Sequence, residues 1–322
     1  MIKSLLLSFI ISTITGKYII DILKKRRIKQ IQRQEGPETH LSKAGTPTMG
    51  GIFVIITFII VGLLALITGL GDISNKAYFM YILFASFMCG MVGFLDDFLK
   101  VEKKNTDGLS PKKKLGTVAI IAFIFAIISI FVFKKDTIIN IPFLKNINLN
   151  KILYIPFSIL VLLATTNTLN LTDGIDGLAS TVGTIIMTFL LVIALKVENI
   201  EVAMMLVIAI GGFLGFLLYN WNKAKVFMGD TGSFFLGGVI GIAAMALNIP
   251  VYLFFVAIIP VVEAVSVILQ VVYFKKTKKR LFLMAPIHHH FEKKGWSEVK
   301  VVFVFSAITI IGAIISYIGY IV

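Results

Sequence analysis

"YFMYILFASFMCGMVGFLDDFLK", residues 78–100, is the stretch from which the fold can be read. From Tyr78 to Leu95 it carries no charged residue. A helix rises 1.5 Å per residue, so this run comes close to the roughly 20 residues needed to cross a bilayer's hydrocarbon core. Asp96 and Asp97 then stand side by side where the apolar run ends. Adjacent carboxylates repel each other, and the macrodipole disfavours them at a helix C-terminus. A positive partner is expected opposite them.

The rest of the chain follows the same pattern. Of 322 residues, 57% are hydrophobic, well above the roughly 45–50% of soluble domains. Ten apolar segments fall at about 1–20, 50–71, 77–95, 115–133, 152–169, 179–195, 201–219, 234–247, 251–274 and 301–322. The expected fold is therefore an all-α polytopic membrane protein with about ten transmembrane helices. The first residues resemble a secretory signal but lack a clear small-residue cleavage site, so they are read as the first span. The single cysteine, Cys89, excludes an internal disulfide or a cysteine-based metal site. In a soluble protein the net charge of +14 would suggest nucleic acid. Here basic loops beside anionic lipid account for it, and no nucleic-acid partner is expected.

Loop charge sets the orientation. The odd-numbered connectors (21–49, 96–114, 170–178, 220–233, 275–300) hold 23 Lys and Arg, and the even-numbered ones hold 6. Basic loops stay in the cytoplasm, so both termini are expected on the outer side. The odd connectors also carry 12 of the 17 acids. Polar chemistry is thus gathered at one face, and the active site is expected on the cytoplasmic side. No repeat and no separate soluble domain is evident, so residues 1–322 read as a single integral membrane domain.

Five loops on that face carry the chemistry. "DDFLKVEKKNTDGLSPKKK" (96–114) opens with the aspartate pair. "NTLNLTDGIDGLAS" (167–180) holds Asn167, Asn170, Asp173 and Asp176, and both aspartates share one face if the turn is helical. An ordinary Asp-Gly turn is the bland alternative, but an acidic connector with no basic residue on an otherwise basic face reads as a cation or polar-ligand site. "YNWNKAKVFMGDTGSFFLGG" (219–238) places Asp230 in a small-residue loop whose amides suit a phosphate, or a simple capped turn. "APIHHHFEKKGW" (285–296) has three consecutive histidines, which cannot all face one way on a helix, so a three-histidine zinc site is not expected. "HLSKAGTPTMGG" (40–51) offers Lys43 and Thr48. Clustered acids beside clustered bases suit a divalent cation with phosphate ligands, and Mg²⁺ binds through one or two carboxylates plus substrate phosphates. Mg²⁺ or lysines opposite Asp96 and Asp97 would make the pair tolerable.

"GTPTMGG", "GFLDDFLK", "NLTDGIDGLA", "VFMGDTGS" and "APIHHHFE" occur in this order, on these loops. In them the chain resembles the phospho-N-acetylmuramoyl-pentapeptide transferase family, within the polyprenyl-phosphate N-acetylhexosamine-1-phosphate transferases. The resemblance spans essentially the whole chain. It implies transfer of phospho-MurNAc-pentapeptide from UDP-MurNAc-pentapeptide to undecaprenyl phosphate, with Mg²⁺, in the bacterial plasma membrane, by a homodimer. It also implies roles. Asp230 resembles the Mg²⁺-binding aspartate. Asp96 resembles the carboxylate that takes the acceptor's proton, although a phosphate monoester with a second pKa of about 6 hardly needs one. Asp97 resembles its neighbour in acceptor or metal handling. Asp173 and Asp176 match acids near the nucleotide and metal, and Asn167, Asn170 and Asn220 match polar pocket residues. Phe227 matches the aromatic that stacks on uracil. Lys43, Thr48 and Lys114 match positions near the donor. His289 is the choice for a phosphate contact, with His288 and His290 beside it. A sister enzyme using UDP-GlcNAc shares the aspartates but not "GTPTMGG" and "APIHHHFE". A transporter or flippase would need midplane ionisable groups and a broken-helix repeat. Glu263 is the one strong candidate for such a group.

Overall fold

The computed structural model describes residues 1–26, 28, 45–103 and 108–322. Ten of its helices are long and apolar enough to cross a membrane. They are α1 (Ile2–Lys25), α2 (Gly51–Thr68), α3 (Lys76–Lys103), α4 (Pro111–Phe131), α5 (Lys151–Thr172), α6 (Leu178–Lys196), α7 (Ile200–Asn220), α8 (Gly229–Ala246), α10 (Ile258–Thr277) and α12 (Glu298–Ile321). The short helices α9 (Leu253–Val256) and α11 (Ile287–Lys293) complete the set. Between α4 and α5 a two-residue antiparallel ladder joins β1 (Ile138–Ile139) to β2 (Ile147–Asn148).

Each apolar segment read from the sequence has its helix, and the differences lie at the ends. α3 runs on to Lys103, so Asp96 and Asp97 lie inside a helix and not at its terminus. α8 starts at Gly229, so "GDTGS" is a first helical turn and not a loop. The segment 251–274 is broken: a 3₁₀ turn at Pro250–Tyr252 and α9 precede α10, with Ala257 between. The histidines at 288–290 lie on α11, behind the cis Ala285–Pro286 bond.

α8 is the core of the bundle: every residue from Thr231 to Ala246 is buried. Small residues allow this. A Cβ on Gly93 of α3 would overlap the Asp230 carbonyl oxygen, and one on Gly51 of α2 would overlap the Gly232 backbone. α3 and α2 therefore reach α8 at backbone contact, just where Asp96, Asp97 and Asp230 leave their helices. α1 meets α7 in the same way, with buried Ser4, Ser8, Ser12 and Gly16, and Ser12 Oγ donates to the Gly212 carbonyl at 2.7 Å. α10 differs. It buries only Ile259, Pro260, Glu263 and Ser266, while Ile268, Leu269, Val271, Val272 and Phe274 stand exposed. An apolar helix face left outside the core is what lipid contact demands.

Candidate active site

The ends of α3, α4, α5 and α8 converge on one group of side chains. Asp96, Asp97 and Asp230 each offer an oxygen within 4.8 Å of the others. Two lysines lie among them. Lys100 Nζ is 2.6 Å from Asp96 Oδ2 and 3.0 Å from Asp230 Oδ2. Lys114 Nζ is 3.1 Å from Asp96 Oδ2 and 2.6 Å from Asp230 Oδ2. These are the positive partners that the aspartate pair required. Lys114 is also held 5.0 Å over the Phe234 ring.

The two adjacent aspartates do different work. Asp96 Oδ1 accepts from the Leu109 amide at 2.7 Å, and its Oδ2 faces the lysines. Asp97 turns the other way. Its Oδ1 accepts from the Asp230 amide at 3.2 Å, and its Oδ2 accepts from the Thr231 amide at 2.8 Å and the Thr231 hydroxyl at 2.7 Å. It satisfies the unpaired amides of the first turn of α8. Asp230 is completed by Asn170, whose Nδ2 donates to Asp230 Oδ1 at 2.7 Å and to Ser233 Oγ at 2.9 Å.

Asp173 is the C-cap of α5. Burial, and then the charges of Asp230, Asp97 and Asp176, push its carboxyl well above the usual range. Asp176 does not share its face, because the turn is not helical. Asp176 Oδ2 accepts from the Ala224 amide at 2.9 Å. Asn220 is buried and bonded on three sides: to the Gly177 amide, the Ser180 hydroxyl and the Val226 carbonyl. It ties the aspartate loop to the stretch before Asp230. Asn167 Nδ2 donates to the Leu163 carbonyl of its own helix at 2.7 Å. Thr48 is buried beside Gly229, and Phe227 is half-buried. Lys43 lies outside the described residues.

The three histidines diverge, as consecutive positions on a helix must. His288 has no exposed surface and pairs through Nδ1 with Glu263 Oε1 at 3.0 Å. His289 Nδ1 lies 2.6 Å from Glu292 Oε2. His290 Nδ1 accepts from the Leu283 amide at 3.1 Å, and burial and then Lys294 lower its pKa. Lys100 and Glu292 were not singled out from the sequence, and Glu263 stood out there only as a candidate midplane group. Lys100 had a signal, since it sits one helical turn beyond Asp96 and Asp97.

Residues 79–248 match the family model for glycosyl transferase family 4, and residues 43–55 match signature 1 of phospho-N-acetylmuramoyl-pentapeptide-transferase. A protein of that name from Clostridium perfringens (strain SM101 / Type A) is 44% identical over 98% of this chain and 95% of its own length. The chain belongs to the phospho-N-acetylmuramoyl-pentapeptide-transferase family. Members from Clostridium beijerinckii and from Caldanaerobacter subterraneus subsp. tengcongensis are each 44% identical, over 98% and 97% of the chain and 95% and 96% of their own lengths.

The family signature has a visible structural task. The Phe227 amide donates to the Pro47 carbonyl at 2.8 Å, and the Gly50 and Gly51 amides donate to the Phe227 and Met228 carbonyls at 2.9 Å. The "TPTMGG" backbone thus clamps the stretch that leads into α8. A Cβ on Gly50 would come within 2.8 Å of the Phe227 carbonyl oxygen, so the clamp needs glycine there.

Proposed function

We propose that the chain transfers phospho-MurNAc-pentapeptide from UDP-MurNAc-pentapeptide to undecaprenyl phosphate. The products are lipid I and UMP, in the first membrane step of peptidoglycan synthesis. The observation that carries this reading is the meeting of Asp96 and Asp230 across Lys100 and Lys114, beside the stretch clamped by the family signature. An acceptor phosphate oxygen forms the new bond to the donor's β-phosphorus. The bond from that phosphorus to the bridging oxygen breaks, and its electron pair leaves with UMP. An acceptor monoester carries about −1.5 to −2 charge near pH 7, so no residue has to take a proton. The demand on the protein is positioning and charge neutralisation.

The residues divide that work. Asp96 holds the Lys100 and Lys114 ammonium groups where phosphates would meet. Asp97 is committed to α8 and sets the place of Asp230. The oxygens of Asp230 and Asp96 are hard donors, now gathered by two cations, and they fit Mg²⁺. Bound there, Mg²⁺ would neutralise charge developing on the diphosphate. Phe227 takes the uracil, and Asp173, Asp176, Asn170 and Lys114 surround the donor, with Lys43 and Thr48 on its signature side. His289 reaches a phosphate. The loop charges favour a cytoplasmic site with both termini outside, in the bacterial plasma membrane. The undecaprenyl chain arrives through the bilayer, residues 1–322 act as one domain, and two copies form the working unit.

The test is to incubate the purified chain with UDP-MurNAc-pentapeptide, undecaprenyl phosphate and Mg²⁺ and weigh the lipid product. The mass of undecaprenyl-diphospho-MurNAc-pentapeptide supports the reading. Unchanged undecaprenyl phosphate refutes it.

A further inference from the structure

We propose that Glu263 is a positioning residue of this site, acting through His288 and Gly174 on the loop that carries Asp173 and Asp176. Glu263 lies on α10, His288 on α11, and Gly174 in the turn between α5 and α6. Glu263 and His288 have no exposed surface. Both carboxylate oxygens serve the same residue: Oε1 lies 3.0 Å from His288 Nδ1, and Oε2 lies 3.4 Å from the His288 amide. The clamp fixes which edge of the ring faces outward from α10. That edge, Nε2 and Cε1, abuts Gly174, where an added Cβ would overlap it.

Three observations favour positioning over plain packing. A fully buried ionisable pair is costly, and apolar residues of similar volume commonly hold such a place as well or better. A carboxylate that pins Nδ1 sets the ring's orientation, which an apolar neighbour does not. His288 Nε2 has no hydrogen-bond partner among the described residues and no exposed surface, so its edge meets the loop by contact. The loop it meets holds Asp173, the C-cap of α5, and Asp176, which ties it to Ala224. Most of α10 stands outside the bundle, so Glu263 and Ser266 are its buried polar anchors. The ring between Glu263 and Gly174 therefore couples the seating of α10 and α11 to the aspartate loop.

That the loop addresses the donor rests on the function proposed above, so the experiment has two readouts. In the first, Glu263→Gln and Gly174→Ala are assayed with both substrates at saturating Mg²⁺. Both should raise the donor KM by about tenfold while kcat changes less than about threefold. A fall in kcat at unchanged donor KM would overturn the proposal, because it would put His288 in the chemical step. In the second, unfolding temperatures are measured for Gly174→Ala, His288→Ala and the double variant, without substrate. Gly174→Ala should destabilise the parent but add almost nothing once the ring is gone. Additive losses would overturn the contact. If the unaltered chain turns over no UDP-MurNAc-pentapeptide, the proposed function fails alone, and the substrate-free cycle still decides the coupling.

Discussion

Asp97 caps the helix that carries Asp230. Its carboxylate takes the Asp230 amide at 3.2 Å and the amide and hydroxyl of Thr231 at 2.8 and 2.7 Å. Asp97→Asn should therefore lose stability together with activity. The amide group would turn a donor toward donors, at a cost of about 1–3 kcal/mol. A lowered unfolding temperature in detergent is the expected result. An unchanged temperature with lost turnover would place Asp97 on the reactants.

Asp96 and Asp230 face the lysines, so their variants should part company with Asp97. Asp230→Asn is expected to abolish transfer and blunt the response to Mg²⁺. Asp96→Asn should leave donor binding largely intact while turnover falls by about 10²-fold or more. Titration calorimetry with UDP-MurNAc-pentapeptide separates the two. Lost donor binding in Asp96→Asn would move that residue into the nucleotide pocket.

Gly93 permits the contact that brings the three aspartates together, since a Cβ there overlaps the Asp230 carbonyl. Gly93→Ala should push α3 from α8, costing about 1–3 kcal/mol in stability. Activity should fall even though no polar group is altered. Full activity with an unchanged unfolding temperature would show that the helices need not approach this closely.

Phe227 stands on the stretch clamped by "TPTMGG". Phe227→Ala should raise the donor KM by about tenfold with a smaller effect on kcat. An unchanged KM removes it from the uracil pocket.

Asp173 supplies a pH signature. Burial raises its carboxyl above the ordinary value in the folded chain. The unfolded chain then gives up this proton at lower pH than the folded one does. Stability contributed by the protonated form is present below the ordinary carboxyl pKa and is lost as pH rises toward the raised one. Asp173→Asn should flatten this fall, matching the parent at acid pH and exceeding it at neutral pH. Unfolding temperatures across pH 4–8 would show it, and parallel curves would contradict it.

Nine of the ten spans were legible as apolar runs of about 17 residues or more, and 234–247 reads short because its helix begins in the polar "GDTGS". Their ends were not. α3 continues through "DDFLK" because Lys100 answers both aspartates from one turn away, a helical pairing inside a stretch that reads as polar loop. "GDTGS" reads as a turn by composition, yet it is helical because Asp97, far off in sequence, caps its amides. Asp96, Asp230 and Lys114 were legible as a site from residue type and family resemblance. The Glu263–His288 pair was not: its two members lie 25 residues apart on helices whose packing no local pattern records.

The most direct measurement is UMP release by the purified chain with undecaprenyl phosphate and Mg²⁺, offered UDP-MurNAc-pentapeptide and UDP-GlcNAc separately, with EDTA as control. The proposed transfer predicts UMP from the muramoyl donor alone, stopped by EDTA. UMP from UDP-GlcNAc alone, or release that persists in EDTA, would contradict it.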